Sequence, residues 1–164
     1  MDLLSADIFA QAFALAEPGM VHQLFLANTL FDATVMQGKL PDVHEIETVN
    51  ANQLIAGQRS MTTDEGEKAL QTFTELQPTN EALLRATLLA LVRARPLPKV
   101  PLPDSAVVVI DDDHDPSMPA PMRYAVRERH AGSLQLCIQG GGHQPAIQRP
   151  HTVATLLLHR LTTA

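Results

Sequence analysis

Four prolines fall within ten residues in "RPLPKVPLPD", residues 95 to 104, and they limit what this chain can fold into more than any other stretch. Each proline fixes its own φ and donates no backbone hydrogen, so the stretch joins neither a helix interior nor a central strand. It is a stiff connector. On its N-terminal side apolar residues recur every three or four positions, and beyond it they alternate or run on through β-branched residues. The 164 residues suffice for one ordinary domain, or a domain with a small appendage.

Residues 1 to 95 predict helix after helix. Ser5 caps a first helix carrying Ile8, Phe9, Ala12 and Phe13, which stops before Pro18 and Gly19. A second, from about Val21 to Gln37, is apolar on most of its circumference and closes at Gly38. Pro41 and Asp42 open a third, carrying Val43, Ile46, Val49 and Leu54 and ending near Gly57. Thr62 and Glu65 have capping-box spacing and introduce a fourth with Ala69, Leu70, Phe73 and Leu76. After Pro78, Thr79 or Asn80 caps a fifth, "EALLRATLLALVRA". Five short helices with tight connections imply an antiparallel bundle or stacked helical hairpins.

Beyond the connector, "SAVVVID", "MRYAVRER" and "SLQLCIQ" predict strands, with "HAGS" turning between the last two to make a hairpin. Its apolar face, with Met122, Tyr124, Val126, Leu134, Leu136 and Ile138, is to be covered by the closing helix "PHTVATLLLHRLTT". The expected fold class is therefore α+β. An N-terminal bundle of about five helices (1–95) leads through the connector (96–104) to a small antiparallel β-sheet with one C-terminal helix (105–164).

Composition narrows the function classes. The chain has five Phe, one Tyr and no Trp, which disfavours stacking on single-stranded nucleic acid. Net charge is −6, distributed unevenly: residues 1–95 carry twelve acids against six bases, 96–115 five against one, and 116–164 one against five. Only the last segment attracts polyanions. Cys137, the single cysteine, excludes an internal disulfide and a Cys-rich zinc module, and a reducing cytoplasm is expected. Asp2 stands where a signal peptide is basic, and no apolar run reaches the ~20 residues of a bilayer span, so neither signal nor membrane contact is expected.

The stretch "VVVIDDDHDPSMP" looks most like chemistry. Asp111, Asp113 and Asp115 alternate as calcium ligands do, but Pro116 stands where the loop needs glycine and Met122 where it needs glutamate. A metal-dependent phosphoester hydrolase would use Asp111, Asp113 and Asp115 with His114 as ligands, and His114 or His143 as base. Against it stands a solvated turn whose aspartates pair with neighbouring arginines, and the turn is preferred because charged turns outnumber metal sites. "QGGGHQP", residues 139 to 145, lacks the Lys and Ser or Thr of a phosphate loop and is taken as a mobile loop. Arg123, Arg127 and Arg129 on one strand face form an anion-binding candidate, with Arg127 and Arg129 roughly 6.6 Å apart. Intramolecular pairing with the aspartates is the preferred alternative.

The function expected from these features is non-catalytic: an adaptor or accessory subunit of a bacterial assembly, binding another protein or itself through apolar helical surfaces. Leu24, Phe25, Phe31, Leu84, Leu88 and Leu91 are the partner-binding candidates. No cofactor is implied. The hydrolase and the arginine-face nucleic-acid contact are the two alternatives.

Overall fold

Val107, Val108, Val109 and Ile110 run without a polar residue because both faces of their strand are covered, which is how a parallel sheet's central strand reads in sequence. In the computed structural model, which describes residues 3–36, 41–50, 80–115 and 118–163, this strand β2 (Val107–Asp111) is central. It lies between β1 (Leu24–Ala27) and β3 (Leu134–Cys137). Both pairings are parallel: Leu26 sits opposite Val109, and Val109 opposite Gln135.

Helices cover the two faces. α1 (Leu3–Ala16) and α4 (Ala120–Arg129) lie on one, where Ala14 and Val126 pack with Leu24, Leu26, Val107 and Val109. α6 (Pro150–Thr163) lies on the other, where Val153, Leu156 and Leu157 meet Val108, Ile110 and Ile138. Each fully buried Val or Ile stabilises the fold by about 1.5–3 kcal/mol. α2 (Val43–Thr48) and α3 (Glu81–Arg93) pair through Ile46 and Leu88, and α5 (Pro145–Gln148) precedes α6. Among the described residues no helix is long and apolar enough to cross a membrane.

Several expectations need correction. The helix predicted over residues 21–37 is instead β1, a loop and a 3-10 turn (Ala33–Met36). Apolar residues on every side suit a strand buried on both faces as well as a buried helix, and periodicity cannot separate the two. "MRYAVRER" is helix α4, not a strand. A period-two pattern also places Met122 with Val126, and Arg123 with Arg127, four apart, and the prolines at the start of α4 suit a first helical turn. With that strand gone there is no hairpin, and the antiparallel sheet after a helical bundle gives way to a parallel α/β sheet. The third helix is shorter than expected: it ends at Thr48, with Val49 already extended, and it opens with a capping box formed by Asp42 and Glu45. The predicted fourth helix, with the capping box expected at Thr62 and Glu65, lies outside the described residues, as do Leu54 and Gly57.

The proline-rich stretch is irregular, as its composition dictates, yet it packs inward. Val100 is buried with the core beneath α1, the Leu97 N–H donates to the Phe31 carbonyl, and β1 on its near side pairs with β2 on its far side.

Candidate active site

Because all three strands run the same way, their carboxyl ends lie along one edge of the sheet, where ligands bind in open α/β folds. Asn28 follows β1 directly, Asp112 to Asp115 follow β2, and the "GGGH" loop follows β3. The two segments singled out separately in the sequence therefore face each other.

The central contact is between His143 and Asp115. His143 Nδ1 lies 3.0 Å from Asp115 Oδ2, and the Asp115 side chain is fully buried while His143 is 12% exposed. The other Asp115 oxygen accepts from the Met118 N–H at 3.0 Å. A carboxylate so placed fixes the ring orientation and holds the proton on Nδ1, leaving Nε2 as the basic nitrogen.

Around this pair the strand ends are tied together. Asp112, also fully buried, accepts from the Gly142 N–H (2.8 Å) and from the His114 N–H (2.7 Å). Asn28 accepts from the Asp112 N–H at 3.2 Å and donates its amide to the Gly142 carbonyl at 2.5 Å. Asn28 has φ +46°, a left-handed conformation that Asn tolerates better than most residues, and Gly142 has φ +54°. Arg123, buried in α4, donates to the carbonyls of Asp113 (3.0 Å) and Met118 (2.6 Å), bracketing the Asp115 loop.

Asp111 is bound by Arg127 through both oxygens, with Asp113 3.6 Å from the same guanidinium. The Asp111 hydrogen bond raises the Arg127 pKa above its ordinary value against the opposing effect of burial, so this cation stays charged. Asp111, Asp113 and the exposed thiol of Cys137 bring their ligand atoms within 4.8 Å of one another, but Arg127 already occupies two of the three. Asp115 turns away to His143, and the His114 side chain is 89% exposed. Of the four residues suggested as one metal set, Asp111 and Asp113 thus face Arg127, Asp115 faces His143, and the His114 side chain stands in solvent.

The arginines lie on helix α4 rather than on a strand face. Arg123 holds the loop, Arg127 pairs with Asp111, and Arg129 donates to the Leu97 carbonyl and lies 4.0 Å over the Phe31 ring. The suggested partner-binding residues belong to the interior. Leu24, Leu88 and Leu91 are buried, and Phe25, Phe31 and Leu84 are partly buried against the core clusters.

Neither a known protein family nor a curated protein matches this sequence. Solved structures do. A hydrolase from Pseudomonas aeruginosa superposes with a TM-score of 0.68 at 19% identity over 94% of this chain and 61% of its own. The alpha/beta hydrolase MGS-M2, from a deep-sea metagenome library of the Medee basin, gives 0.66 at 18% identity, covering 96% and 62%. A thermophilic esterase from Thermogutta terrifontis gives 0.55 at 16% identity, covering 96% and 61%. The fold is that of the α/β hydrolases, and the chain spans about three fifths of the length of these structures. This likeness overturns the adaptor reading, with its helical bundle and its expectation of a protein that is not an enzyme.

Sequence reasoning named Asp115 and His143, but as metal ligand and metal-assisted base, and it missed their pairing. It missed Asn28 altogether. The available signal was an aspartate soon after one buried strand and a glycine-flanked histidine soon after the next.

Proposed function

We propose that this chain carries the acid–base half of a hydrolytic site for carboxylic esters, with His143 transferring the proton and Asp115 orienting it. The observation that carries this is the 3.0 Å contact between His143 Nδ1 and the buried Asp115 carboxylate at the strand ends. In such a site His143 Nε2 takes the proton of a hydroxyl as its oxygen attacks the ester carbonyl, Asp115 stabilises the imidazolium, and the same proton passes to the departing alkoxide. Asp115 precedes His143 in the chain, the order these groups take in α/β hydrolases. The sequence holds no Gly-x-Ser-x-Gly stretch, so no nucleophilic residue is assigned. That an esterase and another hydrolase share the fold supports an acyl substrate. A reducing cytoplasm, where the exposed Cys137 stays a thiol, is the proposed setting.

Steady-state hydrolysis of p-nitrophenyl acetate and butyrate by the full chain tests this. Turnover is expected, falling about 10²- to 10⁴-fold in kcat for His143→Ala and comparably for Asp115→Asn. Absence of turnover, or equal rates in both variants and the unmodified chain, overturns it.

A further inference from the structure

We infer that Asp112 and Asn28 are positioning residues, a clamp from two strand ends that holds the His143 ring against Asp115 by gripping Gly142. This rests on the Asp115–His143 assignment above. The two peptide groups flanking Gly142 are both engaged by side chains from other strands: the N–H donates to Asp112 Oδ2 and the carbonyl accepts from Asn28 Nδ2. The second of these peptides is the one that leads into His143.

Asp112 is the costlier half of the arrangement. A fully buried carboxylate is retained only where hydrogen bonds compensate its desolvation, and here both oxygens are bonded to backbone N–H groups from two different loops. An apolar side chain would fill the same space without that penalty but would leave the Gly142 and His114 N–H groups unbonded. Asn28 completes the clamp by holding the Asp112 N–H as well as Gly142, and it does so from a left-handed backbone that turns the chain at the end of β1. Gly142 shares that conformation, which a side chain at this position would strain. The strand ends of β1, β2 and β3 are thereby locked together one residue before His143. Displacing a proton-transferring group by ~1 Å costs up to ~10²-fold in rate, so a loop left to itself would not serve.

The test uses ¹⁵N-labelled full chain, following the imidazole Nδ1–H resonance of His143, assigned by its loss in His143→Gln. Asn28→Gly keeps the left-handed backbone accessible and removes both side-chain bonds, and Asp112→Asn keeps the volume and removes one acceptor. In each, a native amide spectrum is expected with the His143 Nδ1–H signal lost to water exchange, and kcat lower by about tenfold to a hundredfold at unchanged KM. Asp115→Asn is the reference. If it leaves the His143 ring signals unchanged, the dyad fails and the clamp with it. If it moves them while Asn28→Gly and Asp112→Asn do not, the dyad stands and the clamp is overturned. Amide exchange in the unmodified chain needs no variant: the Gly142 N–H is expected to be slow, and exchange at the rate of an unprotected amide overturns the proposal.

Discussion

His130 shows how one residue's surroundings become a property of the whole protein. Its ring is 1% exposed, and Nδ1 has no hydrogen-bond partner among the described residues. Burial, then the charges of Lys99 and Arg129, hold its pKa below the ordinary histidine value of 6.5, with Asp104 opposing them. The unfolded chain therefore takes up this proton at a higher pH than the folded one. Stability from a neutral His130 is complete above about pH 6.5 and is lost as the pH falls below it, by at most about 1.4 kcal/mol per unit. Urea denaturation at pH 7 and pH 5 is expected to show a smaller loss in His130→Gln than in the unmodified chain; equal losses would contradict this. The aspartate run likewise owes its state to the fold around it. Four like charges in five residues argue for solvent, yet Asp111, Asp112 and Asp115 are buried. Their partners Arg127, Gly142 and His143 stand 16, 30 and 28 positions away. Local charge density could not reveal partners that only folding supplies.

Among the elements, those whose pattern admits one interpretation were legible. Helix α3 lies where its spacing and its N-cap Asn80 place it, helix α6 occupies the closing segment, and β2 and β3 occupy the β-branched and alternating runs. β1 and α4 were misread because an all-round apolar run and an eight-residue alternation each fit two periods. Arg127 illustrates what the helical α4 accomplishes, since it carries this arginine to the end of β2 and satisfies a buried carboxylate. Arg127→Ala leaves Asp111 buried without its charge partner and is expected to cost about 3–5 kcal/mol, read as a lowered midpoint in guanidinium unfolding. Ile110→Ala, in the central strand, is expected to cost about 2–5 kcal/mol by the same measurement. A loss below ~1 kcal/mol in either would show that the element is not buried as described.

Across the whole molecule, the decisive feature is that β1 and β3 both pair with β2 in parallel. That order collects Asn28, the Asp112–Asp115 segment and His143 at one edge, whereas a β3 running antiparallel to β2 would have sent the last two to opposite ends of the sheet. Backbone NOEs are expected between Leu26 and Val109 and between Val109 and Gln135; contacts between residues 122–129 and 134–138 in hairpin register would refute the topology. Sequence alone determined where the chain could not be regular, through its prolines, where its apolar runs lay, and where its acidic and glycine-rich segments fell, because these depend on a residue and its near neighbours. Strand order, the pairing of Asp115 with His143 and the clamp on Gly142 were decided only in three dimensions. They join residues up to 114 positions apart, and which distant partners meet is set by burying both faces of one sheet at once.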